Sequence, residues 1–256
     1  MSKKGEFMIK SDPIIQLHNI YTAYEGANRP TLTDISLSVE KGEYVIIGGP
    51  NGAGKTTLLE TINGMLTITH GTATVCGYDV RKDGNRVRCN VGYLIQNFVF
   101  DPLTPFSVEE VVIMGRYGMI GTFRKPKEED HIAARSAMSL LGIEDLKDTP
   151  IGQLSGGQQQ KVLLALNLAR NPEVLLLDEP FSNLDMFARD MINSLLIRLV
   201  NEGMTILIVS HAFDDLPDRD VRVVVMNKGK IMMNRVSAPG SVEQMIRNCG
   251  PGNIHA

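Results

Sequence analysis

Gly49-Pro50-Asn51-Gly52-Ala53-Gly54-Lys55-Thr56-Thr57 decides how the rest of this chain is read. The apolar run Tyr44 to Gly48 before it predicts a buried strand. Thr56 to Met65 after it predicts a helix, with Leu58, Leu59 and Ile62 on one face. Strand, then Gly-x-x-x-x-Gly-Lys-Thr, then helix is the phosphate-loop pattern in its required context. The glycines let backbone N–H groups approach phosphate oxygens, and the helix N-terminus adds positive potential. Lys55 is placed to reach the β and γ phosphates, and Thr56 to offer a hydroxyl to Mg²⁺. Gly49, Pro50, Asn51, Gly52, Ala53, Gly54, Lys55, Thr56 and Thr57 are therefore the expected nucleotide-binding residues.

Upstream, Ile14 to Ile20, Ile35 to Val39 and Thr72 to Val75 have strand composition, with turns expected at Glu40-Lys41-Gly42-Glu43 and Gly77-Tyr78-Asp79. From Phe98 to about Arg170 the pattern turns helical, over Ser107 to Met114, Glu128 to Leu141 and Gly156 to Ala169. Val174 to Leu177, Thr205 to Val209 and Val221 to Met226 then read as strands, the first two each followed by a helix. Asn227-Lys228-Gly229 folds a closing hairpin, and Ser241 to Arg247 is a final short helix. This predicts an α/β fold in which helices cover a parallel sheet and a helical insertion separates two α/β halves.

The chain has 256 residues, enough for one or two domains with a sizeable core. With 43% hydrophobic and 21% charged residues and a net charge of −3, it reads as a globule without the cationic field of a general nucleic-acid or membrane-surface binder. No window approaches the ~20 apolar residues of a membrane span. The first residues, Met1 to Phe7, lack the pattern of a secretory signal, so a cytoplasmic location is expected. Cys76, Cys89 and Cys249 are scattered, which points to reduced thiols rather than to a disulfide framework or zinc site. His18, His70, His131 and His255 show no ligand spacing.

Two further stretches carry chemistry. Val174-Leu175-Leu176-Leu177-Asp178-Glu179 sets two carboxylates just past an apolar strand, at the sheet edge where ligands of such folds bind. Asp178 is the expected Mg²⁺ anchor, and Glu179 is placed to polarise a water for in-line attack on a γ-phosphate. Leu154-Ser155-Gly156-Gly157-Gln158 opens a helix, with Ser155 as its N-cap and two glycines exposing backbone N–H groups as a second anion site.

With that pentapeptide the chain resembles the ATP-binding cassette (ABC) family over essentially its whole length. The resemblance implies a P-loop NTPase with a mostly parallel sheet core, an N-terminal antiparallel β subdomain and an inserted helical subdomain. Residues 1–96 would be the first part of the nucleotide-binding core, 97–172 the helical subdomain with the signature, and 173–256 the second part of the core. Tyr24, in Tyr21-Thr22-Ala23-Tyr24-Glu25-Gly26, matches the aromatic that stacks on adenine. Gln96, closing Val91-Gly92-Tyr93-Leu94-Ile95-Gln96, matches the glutamine that contacts Mg²⁺ and the attacking water. Asp185, in Ser182-Asn183-Leu184-Asp185, belongs to the loop that reaches a partner subunit, and His211, after Ser210, matches the switch histidine on the γ-phosphate. Ser155, Gly156, Gly157 and Gln158 of one subunit would cover the nucleotide held by another, in a head-to-tail homodimer or a heterodimer with another ABC ATPase. The ligands implied are ATP and Mg²⁺.

Within that family the chain resembles the ATPases of manganese, zinc or iron importers, through Val111-Val112-Ile113-Met114-Gly115-Arg116-Tyr117-Gly118, Gly121-Thr122-Phe123-Arg124-Lys125-Pro126, Asp130, Pro150-Ile151-Gly152-Gln153 and Gln158-Gln159-Gln160-Lys161. Iron-chelate and cobalamin importers share a looser version. The stretch after His211 is short for an added regulatory domain, and Gly49 to Leu154 leaves no space for the insertions of repair ATPases. A separate integral-membrane permease is implied, with an extracytoplasmic substrate-binding protein acting indirectly, no nucleic acid, and a place on the inner face of the cell membrane. Phe98, Val99, Phe100, Leu103 and Phe106, with Met114 and Tyr117, are expected to line a groove for a short permease helix. The alternative function is a soluble ABC scaffold of iron–sulfur cluster assembly. Gln158-Gln159-Gln160 stands where that group tends to carry Glu and basic residues.

Overall fold

The computed structural model describes residues 12–26, 29–96, 98, 100–121, 123–181, 184–210 and 216–248. The chain opens with strands β1 (Ile15–Thr22) and β2 (Leu32–Val39), followed by β3 (Tyr44–Gly48) and helix α1 (Lys55–Ile62). Strands β4 (Ile68–Val75) and β5 (Tyr78–Asp79) complete an antiparallel sheet of order β2-β1-β4-β5. Helix α2 (Gly84–Asn90) leads into β6 (Val91–Leu94). The helices α3 (Val108–Met114), α4 (Tyr117–Ile120), α5 (Glu128–Leu140) and α6 (Gly156–Leu168) then precede β7 (Val174–Asp178). Helix α7 (Met186–Asn201), strands β8 (Thr205–Val209), β9 (Val221–Asn227) and β10 (Lys230–Ser237), and helix α8 (Val242–Asn248) follow.

The central sheet has the order β10-β9-β3-β8-β7-β6, parallel from β9 to β6 with β10 antiparallel at one edge. Strands β3, β7 and β8 are buried at every residue, as a parallel sheet covered on both faces requires. Because successive side chains point to opposite faces, these strands feed two cores at once. Val45, Ile47, Leu176 and Leu207 pack with α1 and the antiparallel sheet, whereas Ile46, Leu175, Leu177 and Ile206 pack with α3, α5, α6 and α7. The continuous apolar runs in the sequence are the consequence of this two-sided burial.

The helical segment is pinned by its own polar contacts. Ser107 caps α3 in a reciprocal box with Glu110. Arg116 Nε donates to Asp130 Oδ1 at 2.9 Å and its Nη1 donates to the Ala169 carbonyl at 3.3 Å, joining the α3–α4 corner to the start of α5 and the end of α6.

Several boundaries differ from the sequence expectations. β2 starts at Leu32 and β4 at Ile68, because both pair with Thr22 at the end of β1 and the ladder extends the strands past their apolar stretches. Tyr78 and Asp79, expected in a turn with Gly77, pair with Val75 and Thr74. Helix α2 gave no periodic signal because Val87 is its one buried residue.

Candidate functional site

The parallel strands present their carboxyl ends together, and the motifs sit there. The phosphate loop leaves β3, Asp178 ends β7, and Gln96 follows β6. Between them lies a cleft of about 470 Å³ lined by Thr31, Asn51, Gly52, Ala53, Gly54, Lys55, Thr56, Thr57, Gln96, Asp178 and Glu179. The loop's first glycine is a steric requirement: Gly49 has φ +135°, and a Cβ there would stand 2.2 Å from the Met226 carbonyl oxygen of β9.

Lys55, the first residue of α1, is buried, and its ammonium folds back onto its own loop. Nζ donates to the carbonyls of Gly49 at 2.9 Å and Pro50 at 3.1 Å. Burial lowers its pKa, while the negative charges of Glu179 and Asp178 pull the other way. It is a desolvated cation held by two neutral carbonyls, poised for an anionic partner.

Thr56 donates its hydroxyl to Asp178 Oδ2 at 2.6 Å, joining the phosphate-loop helix to the end of β7. Asp178 is 2% exposed; burial raises its pKa, with Glu179 adding to the rise, and the Thr56 hydroxyl opposes it. Glu179 has φ +51°, a left-handed conformation rare for a residue with a side chain, and its N–H donates to the Val209 carbonyl of β8 at 3.0 Å. The chain thus turns sharply at the sheet edge, and Glu179 is among the residues lining the cleft.

Tyr24 stands beside the cleft, 42% exposed. Its hydroxyl donates to Glu60 Oε2 at 2.6 Å and lies 3.3 Å from Thr57 Oγ1, which seats the tyrosine on the first turns of α1. Burial of the phenol and the Glu60 carboxylate both raise its pKa. Thr31 and Glu60 were not foreseen. Thr31 precedes β2 with no motif around it, and Glu60 would have been found by extending the α1 helical face one turn beyond Thr57.

The signature residues lie outside this cleft. Ser155 caps α6 as expected: Gln158 N–H donates to Ser155 Oγ at 3.3 Å, and Ser155 N–H donates to Gln158 Oε1 at 2.9 Å. Gly156 has an ordinary helical backbone, and among the described residues a Cβ there would meet nothing within 4 Å. Asp185 caps α7 by accepting from the Ala188 N–H at 2.8 Å. Ser182, Asn183 and His211 fall outside the described residues.

The expected apolar groove is divided. Met114 and Tyr117 line a separate cleft of about 360 Å³ with Asn85, Arg88, Cys89 and Arg170, and none of Phe98, Phe100, Leu103 or Phe106 contributes to it. Phe100 packs against the main core, with Phe98 edge-on to it at 4.9 Å between ring centroids, whereas Leu103 and Phe106 are exposed. Val99 lies outside the described residues. Among the described residues, no helix is long and apolar enough to cross a membrane, and no cluster of His, Cys, Asp and Glu is arranged to hold a metal ion.

A sequence profile of the ABC transporter family matches residues 32–182. The chain is 36% identical, over 92% of both sequences, to the manganese transport system ATP-binding protein of Bacillus subtilis (strain 168). It is 35% identical to the zinc transport system ATP-binding protein of Treponema pallidum (strain Nichols), over 89% of this chain and 81% of that one. Among solved structures it is similar to a dimeric ATP-binding cassette in a post-hydrolysis state bound to ADP and Pi, with TM-score 0.73 and 26% identity over 87% of this chain and 98% of that one. The chain belongs to the ABC transporter family and is one of its ATP-hydrolysing cassettes.

Proposed function

We propose that the chain is the ATPase subunit of an importer for a transition metal, manganese, zinc or iron, or for a metal chelate. The observation that carries its chemistry is the cleft in which the phosphate loop, Thr56, Asp178, Glu179 and Gln96 converge. The cargo class rests on likeness to the manganese and zinc system proteins.

ATP enters with its phosphates against the N–H groups of the loop and the N-terminus of α1. Lys55 exchanges the Gly49 and Pro50 carbonyls for β and γ phosphate oxygens, and the Tyr24 ring, tethered through its hydroxyl, packs against adenine. The Thr56 hydroxyl, the Asp178 carboxylate and the amide carbonyl of Gln96 are oxygen ligands available among the cleft residues, a hard set that fits Mg²⁺. Bound there, Mg²⁺ would neutralise charge on the phosphate oxygens. Glu179 takes a proton from the attacking water, Gln96 orients that water, and His211 donates to the γ-phosphate.

The signature turn acts on another subunit's nucleotide. Two observations support this: Ser155, Gly156, Gly157 and Gln158 are not among the residues lining the chain's own cleft, and among the described residues none approaches Gly156 closely enough to require glycine there. ATP then bridges two cassettes, identical or related, with the Asp185 loop at the shared face, until hydrolysis releases them. The dimer works on the inner face of the membrane beneath a permease, which an extracytoplasmic binding protein supplies with cargo. The permease helix docks at the Met114 and Tyr117 cleft or at the exposed Phe98, Leu103 and Phe106.

The test is capture. Tagged Glu179→Gln protein is crosslinked with ATP in native membranes and its partners are identified by mass spectrometry. A polytopic permease, with metal uptake lost when either gene is deleted, is the expected result. Recovery of soluble partners alone contradicts the importer and favours the scaffold alternative.

A further inference from the structure

The consecutive glutamines Gln159 and Gln160 are absorbed by none of the roles above, yet their side chains hold the site together. Gln159 is buried at 5% exposure in α6, and both ends of its amide are used. Oε1 accepts from the Phe100 N–H at 3.1 Å, and Nε2 donates to the carbonyls of Ile151 at 3.2 Å and Leu154 at 3.3 Å. The same side chain therefore grips the segment that follows Gln96 and the two carbonyls that lead into Ser155. The grip is reinforced along the backbone. Ile151 N–H donates to the Phe106 carbonyl at 2.8 Å, and the Pro102 carbonyl presses so closely on Gly152 that a Cβ there would stand 2.5 Å from its oxygen. One residue further along α6, Gln160 Nε2 donates to the carbonyl of Pro180, directly after Glu179.

We propose that Gln159 and Gln160 are positioning residues that fix the signature turn to its own subunit's Gln96 segment and Glu179 turn, so that the nucleotide state of one site sets the geometry of the other. An amide is suited to this because it offers one acceptor and two donors on a short, planar group. A buried aliphatic side chain there would leave one N–H and two carbonyls without these partners. The inference rests on the reading of Ser155 to Gln158 as the turn that closes the partner's site. Since that turn acts in trans, the tie carries information between the two sites rather than within one.

The test uses the full chain and four measurements: affinity for a fluorescent ATP analogue, kcat, the Hill coefficient for ATP, and thermal unfolding. For Gln159→Leu, assayed where it is folded, the expected result is nucleotide affinity within twofold of wild type, kcat reduced at least tenfold, and a Hill coefficient falling from about two towards one. Gln159→Glu should regain kcat as pH is lowered, because the protonated acid restores one donor towards the carbonyls while still accepting from Phe100 N–H. Gln160→Leu, which removes only the link to Pro180, should lower kcat with little change in Tm and decides the matter if Gln159→Leu does not fold. Wild-type kcat and Hill coefficient in folded Gln159→Leu, or wild-type kcat in Gln160→Leu, overturn the proposal. Ser155→Arg separates the two levels. Full activity in Ser155→Arg refutes the in-trans reading itself, whereas inactive Ser155→Arg beside normal glutamine variants refutes only the tie.

Discussion

Thr56 and Asp178, 122 residues apart in sequence, meet at 2.6 Å, hydroxyl to carboxylate, and this contact joins the phosphate-loop helix to the end of β7. A hydrogen bond to a charged group contributes about 1.5–3 kcal/mol. Thr56→Val keeps the shape and removes the donor, so hydrolysis should fall roughly 10–100-fold and half-saturation by Mg²⁺ should move upward. Titration of ATPase rate with Mg²⁺ checks this, and an unchanged Mg²⁺ dependence contradicts the assignment of Thr56.

Lys55 is the desolvated cation of the loop, and its two carbonyl partners are neutral. Replacing it by Ala removes the charge-assisted contacts expected with phosphate, and ATP affinity should drop by about 10–100-fold in calorimetric titration. Equal affinity in mutant and wild type contradicts the proposed exchange of partners.

Gly156 and Ser155 separate folding from assembly. Because Gly156 lies in a helix with open space where a Cβ would go, Gly156→Ala should raise stability by about 0.5–1 kcal/mol while lowering hydrolysis. Ser155→Arg should leave ATP binding intact and abolish hydrolysis that depends on dimerisation. A Gly156→Ala protein as active as wild type argues against close packing of another subunit on this turn.

Local pattern made the central features of this fold legible. Apolar runs flanked by turn residues located β3, β7 and β8 because those strands are buried on both faces. Ser155 was found because capping chemistry is written in four consecutive residues. The elements that escaped depend on partners distant in sequence: Leu32 and Ile68 join strands only because both meet Thr22, and α2 buries only Val87. The same holds at the site. Motif spacing located Lys55, Asp178 and Glu179, but Thr31 enters the cleft from a segment with no motif, and the division of the apolar residues after Gln96 between core and surface is decided by packing alone.

Arg116 and Asp130 hold the helical segment, with side chains 16% and 4% exposed. The Lys127 backbone N–H and the Arg116 guanidinium lower the Asp130 pKa against the opposing effect of desolvation. A carboxylate with a depressed folded-state pKa contributes stability that is present above its unfolded pKa, near 3.9, and is lost as pH falls through the folded value. Asp130→Asn should therefore flatten the acid limb of the stability profile below about pH 4. Arg116→Ala should cost about 3–5 kcal/mol, seen as a drop in Tm of roughly 6–20 °C, by removing the guanidinium from a buried carboxylate. Identical acid limbs in wild type and Asp130→Asn contradict this account.

Glu179 carries the central claim, since its left-handed backbone holds it at the sheet edge in the lining of the nucleotide cleft. The decisive measurement is ATP turnover and oligomeric state of Glu179→Gln beside wild type at saturating Mg²⁺ and ATP. Hydrolysis slowed about 10²–10⁴-fold with undiminished ATP binding, together with a dimer that forms on adding ATP and persists, is the expected result. Turnover equal to wild type, or a monomer at saturating ATP, would contradict it.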